Sequence, residues 1–374
     1  MKNTKETNKE TNKEYNYNDP LIIASVFETA SKIKRKKIIA EEKQINEVKT
    51  IKTKLNSINR IILIGTQYSK SIQKFNEEGI KTEHINPTTF SYEVKDKTII
   101  LHDEKNTSEL TKEDCSSTIV LMRSGYKDSN LCYALNEIKN IGILILNDVE
   151  PVKISNDKFN TAELLEKNNI PQPKYCLITS NDCTKEDHSK LEKKIKALYS
   201  KIEDDTKFVC KILNGHGGKG VFLCRMSNIV SICQCIFKLD DSVKLLVQEF
   251  KQIKDGDIRV NIISLNGKQE IFDVSMRQHK SKDFRTNLSL GNTLSNNVSL
   301  TEEQKSICLK TAAVSGLAWA GIDLFPSVDG KNYIIEINGA PGPMSDIDDD
   351  DAIEVNYQFF KKLFNTINSL CLEY

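Results

Sequence analysis

The sequence has almost no net charge, no long apolar run and no cysteines spaced for metal binding. Its 53 Lys and Arg residues against 52 Asp and Glu residues give a net charge of +1, so no global field attracts nucleic acid or an anionic membrane. The longest apolar run near the start, Leu21 to Phe27, is too short to span a bilayer, and the mixed-charge residues before it are unlike a signal peptide. We therefore expect no nucleic-acid partner and no membrane association.

Cysteine is frequent but is not arranged in pairs. The ten cysteines are irregularly placed, and only Cys233 and Cys235 are close neighbours. No CxxC pair and no Cys/His zinc spacing occurs, which argues against a structural metal. Reduced and mostly buried thiols are typical of a reducing compartment. We expect a cytoplasmic protein whose ten Cys and five His residues are structural or incidental.

The beginning of the chain differs in composition from the rest. Residues 1–57 are rich in Lys, Asn and Glu, and such a segment cannot bury enough apolar surface to order itself. We expect a disordered or partly helical tail, in which Leu21 to Lys34 has the apolar spacing of one amphipathic helix. From Arg60 onward, strand, helix, glycine and strand patterns follow one another. The sequence therefore predicts an α/β (α+β) fold whose first domain covers residues 58–150.

Two helix ends are predicted from their capping residues. Asn156 precedes a helical pattern and is the expected N-cap. Gly316 follows the helical run that begins at Glu302 and is the expected cap at its carboxyl end.

A β-hairpin near the carboxyl terminus brings two acidic residues together. Two strand-like runs flank Asp329-Gly330, a favoured dipeptide for a two-residue hairpin turn. If Val328 faces Lys331 across that turn, counting back places Asp323 opposite Glu336. Directly opposed carboxylates repel each other, which costs stability unless a cation lies between them.

The polar face of this hairpin has the ligand chemistry of a hard metal ion. Because side chains alternate along a strand, Glu336 and Asn338 share one face, whereas Ile335 and Ile337 share the other. Oxygen ligands from Asp323, Glu336 and Asn338, without His or Cys, suit Mg²⁺. The alternative is a solvated polar face on an edge strand.

A glycine-rich loop at residues 214–220 lies between two predicted strands. The P-loop and dinucleotide-binding fingerprints open a helix instead, so neither fits. Glycines still allow backbone amides to close over phosphate oxygens, and Lys211 and Lys219 supply positive charge beside the loop. A plain hairpin turn is the alternative.

Two further polar segments suit a nucleotide. A strand that ends at Gln248 and Glu249 could bind an adenine edge and ribose hydroxyls, although an ordinary solvated strand end would look the same. The segment from Arg277 to Asn287 concentrates cations that include Arg285, and arginine suits recognition of phosphate or carboxylate. A solvated basic loop is the alternative there.

The order of these motifs resembles the ATP-grasp superfamily, and specifically the RimK-like α-L-glutamate ligases. The motifs are "VCKILNGHGGKGV", "LLVQEF", "GDIRVNI", "DFRTNLSLG", "AGIDLF" and "IIEINGAPG", within a resemblance that covers roughly Ile58 to Phe364. It implies the ATP-grasp fold, with an amino-terminal Rossmann-like domain followed by two α+β subdomains that grip ATP. Those subdomains would cover residues 151–245 and residues 246–374, the latter carrying the metal site.

The resemblance also implies roles for individual residues. Lys158 and Lys211 would contact the phosphates, Glu249 and Phe250 the adenine, and Asp257 the ribose. The full set implied for ATP binding is Lys158, Lys211, Gly217, Gly218, Lys219, Gly220, Gln248, Glu249, Phe250 and Asp257. The implied ligands of two Mg²⁺ or Mn²⁺ ions are Asp323, Glu336 and Asn338, and the implied substrate-binding residues are Arg123, Arg259 and Arg277. The implied catalytic residues, at the γ-phosphate and the acyl-phosphate, are Arg285 and Asn287.

The activity implied is ATP-dependent amide formation without a protein nucleophile. A carboxylate would attack the γ-phosphate to give an acyl-phosphate, and an amine would then displace phosphate. Glutamate or a similar amino acid would be added to a peptide, protein or small-molecule acceptor, and the assembly could be a homo-oligomer. An ATP-grasp kinase of a small polyol and a catalytically inactive ATP-binding module are the alternatives.

Overall fold

The computed structural model describes residues 55–65, 68–123, 126–213, 219–278, 293–295, 298–342 and 350–372 of the chain. The chain divides into two units, residues 1–47 and residues 48–374, and every element below belongs to the second. The predicted tail lies outside the described residues as far as residue 54. No helix among those described is long and apolar enough to cross a bilayer.

The amino-terminal part of the second unit carries a parallel sheet. Its elements are β1 (Arg60–Ile64), α1 (Ser69–Gln73), β2 (Lys81–Ile85), β3 (Ser91–Lys95), β4 (Thr98–His102), β5 (Thr107–Leu110), β6 (Thr118–Met122), α2 (Ser129–Asn140) and β7 (Leu144–Leu146), with 3-10 helices at Lys74–Glu78 and Lys112–Ser116. The parallel sheet has the order β2-β1-β6-β7, whereas β3, β4 and β5 form a separate antiparallel sheet. The predicted strand, helix, glycine and strand at its start are confirmed.

The middle part is built on an antiparallel sheet of order β10-β9-β11-β8. Its elements are α3 (Val149–Asn156), α4 (Lys158–Lys167), β8 (Tyr175–Ile178), a 3-10 helix at Ser180–Asp182, α5 (Ser189–Lys196), β9 (Lys207–Ile212), β10 (Val221–Arg225), α6 (Ile229–Leu239) and β11 (Leu245–Glu249). The predicted N-cap is wrong, because Asn156 ends α3. The Asp157 side chain caps α4 instead, accepting hydrogen bonds of 2.9 Å from the N–H groups of Phe159 and Asn160.

The carboxy-terminal part has an antiparallel sheet of order β14-β13-β12-β15-β16. Its elements are β12 (Gly256–Leu265), β13 (Lys268–Gln278), β14 (Thr293–Ser295), α7 (Glu302–Ser315), β15 (Trp319–Pro326), β16 (Asn332–Asn338) and α8 (Asp350–Leu372). Thr301 and Gln304 form a capping box at the start of α7. The predicted cap at its end is confirmed, since Gly316 has a φ of +70°.

Helix α8 joins the end of the chain to the first sheet. Its residues Phe360 and Phe364 lie in one apolar cluster with Ile61 and Leu63 of β1 and with Trp319 of β15. The alternate residues of β1 face α2 in a second cluster. Strand β1 is therefore apolar on both faces because the parallel sheet is covered on both sides.

Candidate active site

The carboxy-terminal sheet has one apolar face and one polar face. Ile258 and Val260 of β12 pack with Ile322 of β15 against α7. The alternate residues of the same strands point the other way, and the pairing register places them side by side. This polar face carries Asp257, Arg259, Asn261, Ser275, Arg277, Asp323, Glu336 and Asn338.

The predicted pairing of the two acidic residues is confirmed, although the hairpin reaches it by another route. Asp323 lies opposite Glu336, but Pro326 lies opposite Asn332, which shifts the register near the turn by one residue. A β-bulge between Asp323 and Leu324 restores it. The turn is one residue longer than predicted, and the bulge adds one residue to β16. The two changes offset each other, so Asp323 still lies opposite Glu336.

The bulge changes what β16 presents to the site. Ile335 is the extra residue, and it lines a narrow crevice together with Glu336, Lys158 and Gln248. The prediction that Ile335 shares the core face with Ile337 is therefore wrong. Ile335 therefore lies on the same side of the hairpin as Glu336.

Two arginines bind the carboxylate of Asp323. Arg277 Nη2 is 2.7 Å from Asp323 Oδ2, and Arg259 Nη2 donates to the same oxygen at 3.2 Å. Arg277 also donates to Asp257, which has no exposed surface. Burial acts to raise the pKa of Asp323, but the charges of Arg259 and Arg277 dominate and lower it to about 2. Asp257 was expected at the ribose. In the structure it is buried and bound to Arg277, which was itself expected near the substrates.

Two lysines approach the acidic pair from the middle part of the chain. Burial lowers the pKa of Lys211 to about 8; Glu336 opposes this shift, Lys158 adds to it and Asp323 opposes it. Lys158 begins α4, and its Nζ donates to the Leu213 carbonyl at 3.4 Å, at the edge of the glycine-rich loop. Both predicted phosphate-binding lysines therefore lie close to the predicted metal ligands.

The donor set on this face fits a magnesium ion. Asp323 and Glu336 offer carboxylate oxygens, and magnesium is usually held by one or two carboxylates with phosphates and waters. The Asn338 Nδ2 donates to the Gly321 carbonyl at 3.4 Å, which makes the amide oxygen the atom that this side chain would offer to a cation. Within the described part of the chain, no group of three or more His, Cys, Asp and Glu residues could hold a metal. The fit therefore rests on two carboxylates and one amide.

The end of β11 joins the middle part to the polar sheet. Gln248 is 4% exposed and lines the crevice, whereas the Glu249 carboxylate accepts from Lys251 Nζ at 2.9 Å. The Phe250 N–H donates to the Tyr199 hydroxyl at 2.9 Å, and that hydroxyl donates to the Lys207 carbonyl at 2.9 Å. Of the residues expected at the adenine, Gln248 is thus the one that the crevice includes.

The glycine-rich loop is described only at its carboxyl end. Lys219 is exposed, and Gly220 has a φ of +72° and accepts the Ile212 N–H at 2.9 Å. A Cβ on Gly220 would lie 3.0 Å from Ile212, so the turn requires glycine there. The remaining predicted residues, Gly217, Gly218, Arg285 and Asn287, lie outside the described residues.

The first sheet contributes residues that hold the loop after β16. Arg123 follows β6, and its Nη1 donates to the Pro341 carbonyl at 2.5 Å. Asn147 follows β7 and binds both Trp319 and Gly339. Asn147 was missed by sequence reasoning, yet a polar residue directly after a buried parallel strand is a usable signal, because ligand sites collect at the carboxyl ends of such strands.

Comparisons with known proteins found a family model and several relatives that this chain resembles. A family model described as the RimK-like ATP-grasp domain matches residues 155–363. A probable alpha-L-glutamate ligase from Pseudomonas fluorescens is 28% identical over 213 residues, covering 56% of this chain and 64% of the relative. A coenzyme gamma-F420-2:alpha-L-glutamate ligase from Methanocaldococcus jannaschii is 28% identical over 247 residues, covering 65% of this chain and 77% of the relative.

The solved structures show the same fold at lower sequence identity. D-alanyl-alanine synthetase A from Vibrio cholerae aligns with a TM-score of 0.54 and 16% identity, covering 83% of this chain and 98% of that chain. The match to the Pseudomonas relative spans less than two thirds of that relative's length, at 64%.

Proposed function

We propose that this chain, which belongs to the RimK-like ATP-grasp family, is an ATP-dependent ligase that joins a carboxylate to an amine. One observation carries the proposal. Asp323 and Glu336 face each other on the polar side of the sheet, and the charges of Lys158 and Lys211 act on the same place from the middle part of the chain. Opposed carboxylates beside two lysines form a site for metal and polyphosphate together.

In the proposed site, Asp323, Glu336 and Asn338 would hold two Mg²⁺ or Mn²⁺ ions. Divalent ions bound there would neutralise the charge of the ATP phosphates. Lys158 and Lys211 would bind the same phosphates together with the glycine-rich loop. Gln248, Glu249 and Phe250 would bind the adenine.

The arginines of the polar face are proposed to serve the substrates. Arg259 and Arg277 lie beside the metal ligand Asp323, where the acid substrate has to meet the γ-phosphate. Because Asp257 is fully buried and bound to Arg277, we assign it to orienting that arginine rather than to the ribose. Arg285 and Asn287 are proposed to stabilise the transferring phosphoryl group.

The reaction needs no nucleophile from the protein. A carboxylate oxygen of one substrate attacks the γ-phosphorus of ATP, ADP leaves, and an acyl-phosphate forms. An amine nitrogen then attacks the acyl carbon, phosphate leaves, and the nitrogen loses a proton as the amide forms. Catalysis then depends on positioning and on charge neutralisation.

The substrates are proposed from the relatives. Because two of them are named as alpha-L-glutamate ligases, we propose that glutamate or a similar amino acid is added to a peptide, protein or small-molecule acceptor. A cytoplasmic location is supported by ten cysteines that are all free thiols. We also propose domain boundaries near residues 150 and 245. The protein is further proposed to assemble as a homo-oligomer.

The stoichiometry of the products tests the reaction. The protein is incubated with ATP, Mg²⁺ and candidate amino acids and acceptors, and products are identified by mass spectrometry. One ADP and one free phosphate should appear per amide, and hydroxylamine added with ATP and the acid substrate should trap a hydroxamate. A stable phosphorylated product without free phosphate would replace the ligase proposal with the kinase alternative.

A further inference from the structure

The side chain of Asn147 makes three buried hydrogen bonds to the backbone at the open end of the β15–β16 hairpin, which carries the proposed metal ligands. Its Nδ2 donates to the carbonyls of Trp319 and Gly339, each at 2.6 Å, and its Oδ1 accepts the Trp319 N–H at 2.8 Å. Asn147 has no exposed surface. One amide thus links the start of β15 with the residue that follows β16.

The position of this amide explains its use. Gly321 and Asn338 form the last pair of the β15–β16 ladder, and beyond them the two strands separate. The Asn147 side-chain amide lies where the ladder stops. It forms hydrogen bonds with the N–H and carbonyl of Trp319 on one strand and with the Gly339 carbonyl on the other. It therefore sets the direction in which the chain leaves Asn338, the proposed metal ligand.

The backbone of Asn147 is held by two hydrogen bonds to a tyrosine that packs against the first sheet. The Asn147 N–H donates to the Tyr126 hydroxyl at 3.1 Å, and that hydroxyl donates to the Asn147 carbonyl at 3.0 Å. Tyr126 packs in the core cluster of the first sheet. Asn147 therefore connects the first sheet to the β15–β16 hairpin, through its backbone on one side and its side chain on the other.

The loop beyond Asn338 has little freedom to relax. A Cβ placed on Gly339 would lie 2.5 Å from Ser155 Oγ and 3.0 Å from Val152, so the backbone there runs tightly against α3. Removing the Asn147 amide would leave the Trp319 N–H and two carbonyls without their partner in a buried place. Since the tight contact with α3 limits the compensating movements, the lost hydrogen bonds would not easily be replaced.

We propose that Asn147 is a positioning residue that sets the orientation of Asn338 toward the metal, so that the first sheet controls metal and nucleotide affinity. This inference rests on the proposed function, because it takes Asn338 to be a metal ligand. Groups that orient metal ligands commonly change metal affinity by about tenfold to a hundredfold when they are removed. We therefore expect Asn147→Ala to weaken binding of the metal–nucleotide complex at least about tenfold.

The single tryptophan of the chain provides the readout. Trp319 is the residue that Asn147 binds, it is 1% exposed, and its ring lies 5.8 Å from the Arg123 guanidinium carbon. Its fluorescence is followed while Mg²⁺ and a non-hydrolysable ATP analogue are titrated into the full chain. Calorimetry of the same titration gives the affinity independently of the emission.

Two variants and one control are compared. Asn147→Asp keeps the acceptor for the Trp319 N–H but loses the donor to both carbonyls, so it should also weaken binding, and it serves if Asn147→Ala does not fold. The control is Gln269→Ala, because the Gln269 amide donates to the Leu309 carbonyl at 2.9 Å and to Ser264 Oγ at 3.0 Å without contacting the hairpin. The control should stay within about twofold of the wild type, as distant sites act independently.

The outcomes separate this inference from the proposed function. The inference is supported if the wild type binds the metal–nucleotide complex and the Asn147 variants, but not Gln269→Ala, lose at least about tenfold in affinity. Wild-type affinity in a folded Asn147→Ala or Asn147→Asp protein overturns it and leaves the ligase proposal standing. Equal losses in Gln269→Ala and the Asn147 variants also overturn it, because general destabilisation would then suffice. A wild-type protein that binds no metal–nucleotide complex overturns the proposed function and this inference with it.

Discussion

Replacing either carboxylate of the β15–β16 hairpin should abolish ATP turnover, but only one replacement should weaken the fold. Asp323 is 1% exposed and bound by Arg259 and Arg277, whereas Glu336 is half-buried and lines the crevice. Asp323→Asn leaves two buried arginines without their shared anion, while Glu336→Gln removes one of two opposed negative charges. Stability should therefore fall for the first and stay near the wild-type value for the second.

The pKa of Asp323 supplies the magnitude. It is lowered from 3.8 to about 2. Since one pKa unit is worth about 1.4 kcal/mol, the ionised form contributes about 2 kcal/mol to the free energy of unfolding. The native pKa lies below the unfolded value, so this contribution is present above about pH 4 and is lost as the pH falls toward 2.

Urea unfolding followed by Trp319 fluorescence measures the difference, and ADP release measures turnover. At pH 7 the free energy of unfolding of Asp323→Asn should be at least about 2 kcal/mol below that of the wild type. This difference in stability should become smaller below about pH 4. Equal stability losses in the two variants would refute the assignment of the arginine charges to Asp323. A folded Glu336→Gln protein with wild-type turnover would refute the metal assignment.

Three further outcomes are expected. Arg285→Ala should still bind ATP, as judged by calorimetry, but should form product about a hundredfold more slowly, and unchanged product formation would remove Arg285 from the chemistry. Because the pKa of Lys211 is about 8 and the lysine is charged below that value, kcat/KM for ATP should decline as the pH rises through 8. Lys211→Arg should flatten that decline, and a profile identical to the wild type would count against a phosphate contact. A chain that starts near Lys54 should keep its activity, since the residues before it have low apolar content. A folded but inactive truncation would place the tail in the site.

Local signals in the sequence were sufficient for most of the helices and strands. The ATP-grasp fold is confirmed by the family match and by the solved structures. The hairpin itself was predictable because strand alternation and a turn at Asp329-Gly330 are local properties, whereas the pair Asp323 and Glu336 came out right only because the bulge offsets the longer turn. The Gly316 cap was predictable for the same reason, since the left-handed conformation belongs to a single residue.

The sequence by itself determined that these two strands form a hairpin with acidic residues on one face, and the tertiary structure decided the exact register and what each side chain contacts from elsewhere. The two arginines on Asp323 come from β12 and β13, and helix α8 packs against the first sheet. Asn147 lies 172 residues before its partner Trp319. Such contacts follow from chain topology, because burial leaves a polar group only the partners that the fold brings within reach.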